Sequence, residues 1–385
     1  MRQPAERIRL MRRSGIRHIM DLADAREDVL HLEVGQPDFA TPAHIIEAGC
    51  EAARSGYTTY TANKGLPEVR ASIAAKLERV NGIEATADDI VITAGAVNAL
   101  MEVLTTLVSP GDTILIPDPG WPNYQMMADV LSARTVHYPL VPEDGFLPDL
   151  ARLDELARES GATVLMINTP GNPTGAVFPA QVVASLVELA ARHDMYLLSD
   201  ECYEEIVFDG EHVSPASLGG TDHVLSVFSM SKTYAMTGWR MGYVTGQREL
   251  IDLVAKVQEP MISCATSIAQ KAGQAALDGD QGCVREMTRT YRERRDMVVG
   301  LLREGDLLIS VPHGAFYIMA DVSRVGQDSY AFARRLIQET GVAVAPGETF
   351  GPSGAGKVRL SLATTTPDLH EGAQRLVKAV STWAT

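Results

Sequence analysis

The chain has 385 residues, which is enough for two or three domains with a sizeable core, and its 45% of apolar and 22% of charged residues are typical of a globular protein. Lys and Arg total 34 against 49 Asp and Glu, and the net charge of −15 excludes a protein that binds nucleic acid through a basic surface. No run of about 18 apolar residues is present, so we expect no membrane span.

The N-terminal segment combines six arginines with an amphipathic spacing of apolar residues. The arginines are Arg2, Arg7, Arg9, Arg12, Arg13 and Arg17. Such a segment is typical either of an organelle transit peptide or of a folded arm with a solvated basic face. The spacing of Ile16, Ile19 and Met20 favours the folded arm. We therefore expect a structured arm and a cytoplasmic protein.

Short apolar runs alternate with amphipathic segments over the first two thirds of the chain. The predicted helices are Glu68–Val80, Ala96–Val108 and Ala180–His193. The predicted strands are Ile90–Thr93, Thr113–Ile116, Thr163–Ile167, Tyr196–Ser199 and Val224–Phe228. Alternation of strand and helix predicts an α/β fold with a mostly parallel central sheet flanked by helices.

A long charged stretch, Asp280–Leu302, is predicted to be helical and to separate a large domain from a smaller α/β C-terminal domain. The C-terminal part contains GAFYIMADV, a predicted helix near Ser329–Thr340, and VRLSLA, which has the pattern of a strand. We predict an N-terminal arm over residues 1–40, a large domain over 41–285 and a small domain over 286–385.

Small and polar residues follow four of the five predicted strands. These segments are Thr93–Gly95, Asn168–Gly175, Asp200–Tyr203 and Ser229–Lys232. Ligands of open parallel sheets bind outside the carboxyl ends of the strands. We therefore expect the four segments to form one site.

Lys232 and Asp200 have the clearest chemistry in this site. A lysine in a partly buried pocket has its pKa lowered, which frees the amine for Schiff-base formation, whereas a surface lysine is the plain alternative. A carboxylate directly after an apolar run needs a cation or a strong donor, such as a protonated pyridine nitrogen, and the alternative is a helix N-cap.

The segment IVITAG precedes a predicted helix, so the backbone amides of Ala96 and Val97 are expected to face an anion. Ser229, Ser231 and Arg240 add two hydroxyls and a guanidinium, which suit a phosphate dianion. Together these groups predict a phosphate site.

Motifs of several other function classes are absent or incomplete. The four cysteines, Cys50, Cys202, Cys264 and Cys283, form no CxxC pair, and no HExxH is present, so we expect reduced thiols and no metal. We interpret Cys202 and Cys264 as packing residues. The run from Gly351 to Lys357 approaches a nucleotide P-loop, but it lacks the final Ser or Thr and precedes a predicted strand rather than a helix.

These residues and the motifs around them resemble the class I and II aminotransferases of the pyridoxal-phosphate fold-type I superfamily, most closely the bacterial aspartate-aminotransferase-like branch. The motifs are SGIRHIMDLA, LEVGQPDF, YTTYTANKGLPEVR, TAGAVNAL, DPGWPNY, NTPGNPTG, SDECYEE, SMSKTYAMTGWRMGY, GAFY and VRLSLA. They occur in the family's order and cover essentially the whole chain. The resemblance implies fold type I, pyridoxal 5′-phosphate as cofactor, and a homodimer with the active site at its interface.

The resemblance also implies a role for each matching residue. The catalytic residues would be Lys232, Asp200 and Tyr203. Lys232 would form the Schiff base and move the substrate proton, Asp200 would pair with the pyridine nitrogen, and Tyr203 would hydrogen-bond the phenolic oxygen of the ring together with Asn172. The other cofactor residues would be Trp121 on the ring, Gly95, Ala96, Val97, Ser229, Ser231 and Arg240 at the phosphate, and Tyr60 at the phosphate of the neighbouring subunit. The substrate would bind Arg359 through its carboxylate, assisted by Gly35, Asn172 and Trp121.

The function implied is ping-pong transfer of an amino group from an L-amino acid to a 2-oxo acid. Val97 stands where dicarboxylate-specific relatives can carry a cation, so we expect an aliphatic or aromatic donor rather than strictly aspartate. Two alternatives stay open. One is a β carbon–sulfur lyase, or another elimination or decarboxylation enzyme, on the same fold. The other is a binding or regulatory protein built on the cofactor fold.

Overall fold

The computed structural model describes residues 3–11, 13–219, 222–326 and 328–384. The first 81 residues are mainly helical. The elements are α1 (Glu6–Leu10), α2 (Gly15–Ala23), β1 (Leu30–His31), α3 (Ala43–Arg54), α4 (Pro67–Lys76) and a π-helical turn over Leu77–Asn81.

The middle of the chain alternates strands and helices as expected. The elements are β2 (Ile90–Thr93), α5 (Ala96–Leu107), β3 (Thr113–Asp118), α6 (Asn123–Leu131), β4 (Arg134–Val141), β5 (Leu147–Pro148), α7 (Leu150–Ser160), β6 (Val164–Asn168), α8 (Ala180–Arg192), β7 (Tyr196–Asp200), β8 (Val224–Ser229), α9 (Met230–Thr233), β9 (Gly242–Gly246) and α10 (Arg248–Ile262). All five predicted strands are present, with ends within two residues of the expected ones.

The C-terminal part is a mixture of helices and short strands. The elements are α11 (Ser267–Asp278), α12 (Gly282–Glu304), β10 (Tyr317–Asp321), α13 (Ser329–Thr340), β11 (Val342–Ala343), β12 (Ala345–Pro346), β13 (Lys357–Ser361) and α14 (Thr366–Trp383). The run that approaches a P-loop leads into β13, as its sequence context predicted.

The central sheet has eight strands in the order β2-β9-β8-β7-β6-β3-β4-β5. The pairs β8–β7, β7–β6, β6–β3 and β3–β4 are parallel, whereas β9 and β5 run antiparallel to their neighbours. The predicted α/β class with a mostly parallel sheet is therefore confirmed. Helices such as α5 and α10 pack on this sheet through a buried apolar cluster.

Strand β9 was not predicted, because GYVTG has a glycine at each end and only two strongly apolar residues. It lies between β2 and β8, where Gly242 pairs with both Thr93 and Ser229. A Cβ atom on Gly242 would come within 2.7 Å of the backbone nitrogen of Ala96. Glycine therefore lets three chain segments meet at this edge of the sheet.

The smaller sheet, β10-β13-β12, is antiparallel and shares an apolar cluster with α12, α13, α14 and the N-terminal arm. Ile19 and Ala23 of α2 are fully buried in that cluster. The basic segment thus folds as an arm over its described part, while Arg2 and Arg12 lie outside the described residues. The boundary predicted at residue 286 falls inside the continuous helix α12, and the division into 1–40, 41–285 and 286–385 stays a prediction.

No helix within the described ranges is both long enough and apolar enough to cross a lipid bilayer.

Candidate active site

A cavity of about 240 Å³ opens at the carboxyl edge of the central sheet. Twelve of the predicted site residues line it: Gly35, Ala96, Val97, Trp121, Asn172, Asp200, Tyr203, Ser229, Ser231, Lys232, Arg240 and Arg359. Parallel strands β6, β7 and β8 end side by side, with Asn168 paired to Asp200 and Asp200 paired to Val227. Their polar termini therefore converge, as the sequence predicted.

Lys232 lies in the short helix α9, directly after the end of β8. Its Nζ donates a hydrogen bond to the Gly35 carbonyl oxygen at 2.7 Å. Burial lowers the pKa of Lys232 to about 8, and the positive charges of Arg240 and Arg359 act in the same direction. The amine is therefore partly neutral near physiological pH, which is the state required of a nucleophile.

Asp200 ends β7 and is buried in the floor of the cavity. The Tyr124 hydroxyl donates to its Oδ2 at 2.7 Å, and the Cys202 amide donates to its Oδ1 at 3.2 Å. Burial nevertheless raises the pKa of Asp200, because two neutral donors do not replace the lost hydration. A cationic ligand group would keep this carboxylate ionised.

The turn between β2 and α5 forms a second wall. Gly95 has φ +85°, and a Cβ atom there would lie 2.6 Å from an Nη atom of Arg240. Arg240 itself has φ +53° and donates to the Thr237 carbonyl at 2.8 Å. The guanidinium thus lies against the start of a twelve-residue helix, where free amides and a cation together attract an anion.

Ser229 and Ser231 lie close to this anion-binding wall. The Ser229 Oγ accepts a hydrogen bond from the Ser231 amide at 3.1 Å and thereby caps α9. Both residues are buried and line the cavity. Two roles, helix cap and anion ligand, are therefore compatible for Ser229.

Arg359 extends from β13 into the cavity and is only 1% exposed. It donates to Asn172 Oδ1 at 3.0 Å and to the Glu33 carbonyl oxygen. Its Nε has no protein partner among the described residues. The side chain is therefore buried and held in place, with one N–H donor still free.

Two predicted residues lie outside the cavity lining. Gly95 contributes through its backbone, as described above, whereas Tyr60 is 87% exposed. The loop that carries Tyr60 is fixed by hydrogen bonds of its neighbour Asn63 to Ser263 and Gln258. Tyr60 is thus an ordered aromatic residue that its own chain does not cover.

Four residues of the cavity lining were not predicted from the sequence: Ile16, Tyr124, Thr237 and Tyr317. Asn168 and Cys202, which also line the cavity, lie in two of the strand-end segments that were expected to form the site. Cys202 packs against two buried apolar clusters and also donates its amide to Asp200, whereas Cys264 does not line the cavity. A signal existed for Tyr124, which lies one helical turn after Trp121 in DPGWPNY.

The cavity fits the cofactor that the sequence resemblance implied. Pyridoxal phosphate carries a basic ring nitrogen, an aldehyde and a phosphate, and the cavity places Asp200, Lys232 and the Arg240 wall along one surface. The buried Asp200 has no cationic partner among the described side chains within salt-bridge distance. A protonated pyridine nitrogen would supply one.

Comparison with known proteins gives a consistent result. The sequence matches the family model described as aminotransferase class I and II over residues 27–376. It is 36% identical over 379 residues to an aspartate aminotransferase of Pyrococcus horikoshii, covering 98% of this chain and 97% of that one.

Solved structures agree with this result. The Thermus thermophilus aspartate aminotransferase with maleate superposes with a TM-score of 0.93 at 35% identity, covering 98% of this chain and all of that one. An aromatic aminotransferase from Pyrococcus horikoshii gives a TM-score of 0.89 at 35% identity over 94% and 99% of the two chains. On sequence, fold and cavity alike, this chain belongs to the class I and II aminotransferases, fold-type I enzymes that depend on pyridoxal 5′-phosphate.

Proposed function

We propose that the enzyme moves the amino group of an L-amino acid to a 2-oxo acid by a ping-pong reaction in this cavity, with Lys232 as its covalent and proton-transferring residue. The observation that carries the proposal is Lys232 itself, a buried amine whose pKa is lowered to about 8 and whose Nζ faces the cavity. When bound, the cofactor supplies an aldehyde that holds the amino group and a ring that accepts electrons.

Each charged side chain of the cavity has one task in this proposal. Asp200 holds a proton on the ring nitrogen by remaining ionised, Arg240 and the start of α5 bind the phosphate, and Arg359 binds the substrate carboxylate. Lys232, once released, takes the proton from the substrate α-carbon and returns it as a general acid. Its lowered pKa suits both directions of that transfer.

Binding of the substrate carboxylate rests on the fixed position of Arg359. Asn172 and the Glu33 carbonyl already hold two of its nitrogens, so little side-chain entropy is lost when a carboxylate binds. The unpartnered Nε indicates that the donor set is not saturated by the protein. Asn172 and Gly35 place further polar groups beside this site.

We propose an aliphatic or aromatic amino donor. Ile16, Val97, Trp121 and Tyr317 give the cavity an apolar side, and all four charged side chains of the described lining already have a task. A second carboxylate would therefore be buried without a cation from this chain. The second candidate donor is aspartate, which is favoured by the names of two relatives described above.

A steady-state panel separates the two donors. The apolar cavity predicts that kcat/KM for leucine or phenylalanine exceeds that for aspartate by about tenfold or more. A higher value for aspartate would contradict the apolar donor and leave the aminotransferase assignment intact. A Val97→Lys variant should lower the ratio of kcat/KM for leucine to kcat/KM for aspartate, because it adds a cation at the half-exposed rim of the cavity.

The β carbon–sulfur lyase is not favoured, because the relatives named above are aminotransferases. Its test is direct. Without a 2-oxo acid, an aminotransferase converts at most one equivalent of cysteine or cystathionine into the corresponding 2-oxo acid and keeps the nitrogen, so incubation with either compound should release no pyruvate and no ammonia.

We further propose a homodimer in which Tyr60 reaches the phosphate in the partner's cavity. This proposal is supported by an ordered loop that presents an aromatic side chain to solvent. We also propose a cytoplasmic location, which is compatible with the four free cysteines.

The Lys232→Ala variant tests the proposed mechanism. We expect a folded protein that binds pyridoxal phosphate without the yellow Schiff-base absorbance band and whose turnover falls by at least about a thousandfold. Lys76→Ala is unsuitable as a control because Lys76 is buried against Glu204, so the surface variant Lys256→Ala serves instead. Full turnover by Lys232→Ala would contradict the proposal.

A further inference from the structure

Tyr317 is a cavity residue to which the proposed function assigns no task. It lies at the start of β10 and is 2% exposed. Its hydroxyl and its ring contact three separate parts of the cavity: Tyr203, Arg359 and the backbone at Gly35. Such a position is unusual for a residue that serves packing alone.

The Tyr317 hydroxyl forms a hydrogen bond with the Tyr203 hydroxyl at 2.9 Å. Each hydroxyl has a single hydrogen to donate. If Tyr203 donates to the phenolic oxygen of the cofactor, as the resemblance implies, Tyr317 must donate to Tyr203. In a site of low dielectric, two hydroxyl donors in series polarise one another, so the hydrogen bond from Tyr317 makes the Tyr203 hydroxyl a stronger donor.

The Tyr317 ring lies against the guanidinium of Arg359, whose central carbon is 4.3 Å from the ring centroid. Tyr317 pairs with Ser361 across the small sheet, and Arg359 is two residues from Ser361 on the same face. A second ring, Phe350, lies 4.9 Å from the same carbon. The two rings hold the guanidinium in a fixed orientation.

The backbone at Gly35 approaches the same hydroxyl. A Cβ atom at Gly35 would lie 2.1 Å from the Tyr317 oxygen, so only glycine fits there. The Gly35 carbonyl accepts the hydrogen bond from Lys232 at 2.7 Å. Tyr317 thus limits the position of the Gly35 carbonyl, which accepts the hydrogen bond from the Lys232 amine.

We propose that Tyr317 is a positioning residue that couples binding of a carboxylate at Arg359 to the hydrogen bond donated by Tyr203. The inference rests on the function proposed above, in which Arg359 binds the substrate carboxylate, and on the resemblance, which implies that Tyr203 donates to the phenolic oxygen of the cofactor. The titratable groups that act on the two tyrosines are Arg359, Cys202 and Asp200. A carboxylate bound at Arg359 would offset the positive charge beside the Tyr317 ring without moving the guanidinium, and the Tyr317 hydroxyl would then be a weaker donor to Tyr203.

The test uses Tyr317→Phe, which removes the hydroxyl and retains the ring. Protein loaded with pyridoxal phosphate is titrated with pH while the visible absorbance band is followed, with and without 4-methylpentanoate. This probe is a carboxylate without an amino or oxo group, so it binds without reacting. In the wild type we expect the probe to move the band midpoint to higher pH, because an anion stabilises the more positive form.

In Tyr317→Phe we expect two changes. Without the probe, the midpoint of the absorbance titration should rise by about half a pH unit. The Tyr203 hydroxyl is then a weaker donor, so it stabilises the deprotonated form of the bound cofactor less. The shift caused by the probe should fall to about half of the wild-type shift, because the link through Tyr317 is lost while the link from Arg359 through Asn172 remains. Tyr317→Leu should in addition weaken probe binding about tenfold, since the ring against Arg359 is removed.

Tyr291→Phe is the matched control. Its hydroxyl is buried without a partner, and its ring contacts Phe316, which in turn contacts Tyr317, at centroid distances of 5.1 and 4.9 Å. The substitution removes a hydroxyl from the same aromatic cluster without touching the cavity. We expect both the midpoint and the probe-induced shift to stay at the wild-type values.

The outcomes separate this inference from the proposed function. A wild-type protein that forms no visible band with pyridoxal phosphate would overturn both. A normal wild-type band, combined with a Tyr317→Phe protein that titrates and responds to the probe as the wild type does, would overturn the coupling alone. A loss of thermal stability in Tyr317→Phe without a change in titration would assign Tyr317 to packing and would likewise overturn the coupling.

Discussion

At the residue scale, burial decides the protonation of the two central groups. Lys232 and Asp200 lie in the same cavity, yet desolvation disfavours the charged form of each, so the pKa of Lys232 falls to about 8 and that of Asp200 rises. The attraction of the Asp200 carboxylate is too weak to reverse the lowering of the Lys232 pKa. Asp200 therefore lacks a positive charge close to its carboxylate, and a cationic ring nitrogen would supply one.

The lowered pKa of Lys232 predicts how cofactor uptake depends on pH. Only the neutral amine attacks an aldehyde, so the rate at which the yellow band forms in cofactor-free protein should rise with pH and level off above about 8. An ordinary lysine would give a rate that still rises at pH 10. Stopped-flow absorbance between pH 6 and 10 measures the midpoint, and a midpoint near 10 would contradict the burial argument.

Glu102 predicts a second pH effect, on stability rather than on chemistry. Its carboxyl group is fully buried in α5, accepts one hydrogen bond from Asn98 at 2.9 Å, and has its second oxygen unpartnered. Burial raises the pKa of Glu102 to about 8 from its ordinary value of 4.5. Between these values the native state binds a proton that the unfolded state lacks, so stability falls as pH rises through this range.

Glu102→Gln should remove this pH dependence. We expect the free energy of unfolding of the wild type, relative to the variant, to fall by on the order of 2 kcal/mol between pH 5 and pH 8. Urea unfolding at both pH values measures the difference. Glu188→Gln, on the exposed face of α8, is the control and should leave the pH dependence unchanged. Parallel pH dependence in wild type and Glu102→Gln would show that the buried carboxyl does not titrate in this range.

At the element scale, the turn from β2 into α5 brings free amides, the Arg240 guanidinium and the Ser229 hydroxyl to one point. This arrangement requires Gly95 for two reasons. The residue has a positive φ, and an Nη atom of Arg240 lies 2.6 Å from the position that a Cβ atom would occupy. The antiparallel strand β9 is equally necessary, since it carries Gly242 between Thr93 and Ser229.

Gly95→Ala should weaken cofactor binding more than it weakens the fold. The added methyl group displaces Arg240, so we expect the dissociation constant for pyridoxal phosphate to rise by about tenfold or more. Gly111→Ala is the matched control, because Gly111 has φ +94° and open space around its Cβ position. Both variants add a methyl group at a residue with positive φ and so carry backbone strain, but only Gly95→Ala also meets Arg240. Equal cofactor affinity in the two variants would exclude a role for the Arg240 contact.

At the scale of the whole molecule, the position of Tyr60 predicts that one chain is incomplete. If the partner's Tyr60 completes each cavity, mixing Lys232→Ala protein with Tyr60→Ala protein under subunit exchange creates dimers with one intact site. We expect the mixture to recover about a quarter of the wild-type activity per chain, because half of the dimers are mixed and each has one good site.

Two observations check this prediction. Sedimentation equilibrium should give twice the mass of the chain, and Tyr57→Phe, in the same loop as Tyr60, should keep full activity. If the activity of the mixture equals the average of the two variants' activities, Tyr60 acts within its own chain or does not act at the site.

Much of the molecule follows from local sequence. The strands around Ile90, Leu165, Leu198 and Val227 are short, apolar and bounded by polar residues, so both their position and the edge of the sheet that carries the chemistry could be predicted. Motif order then identified the family and twelve residues of the cavity lining. Local patterns could not reveal β9, whose residues are apolar only in part and acquire their role from the strands on either side.

Periodicity and residue type act over a few neighbouring positions, and they were therefore enough to predict the fold class, the family and the chemical groups at the strand ends. The partners of those groups could be found only in the folded chain. The contacts of Tyr124 with Asp200, of Tyr317 with Tyr203, and of Gly35 with Lys232 join residues that are 76, 114 and 197 positions apart. Burial and hydrogen bonding depend on such distant neighbours, and so do the pKa of Lys232, the orientation of Arg359 and the coupling that we propose for Tyr317.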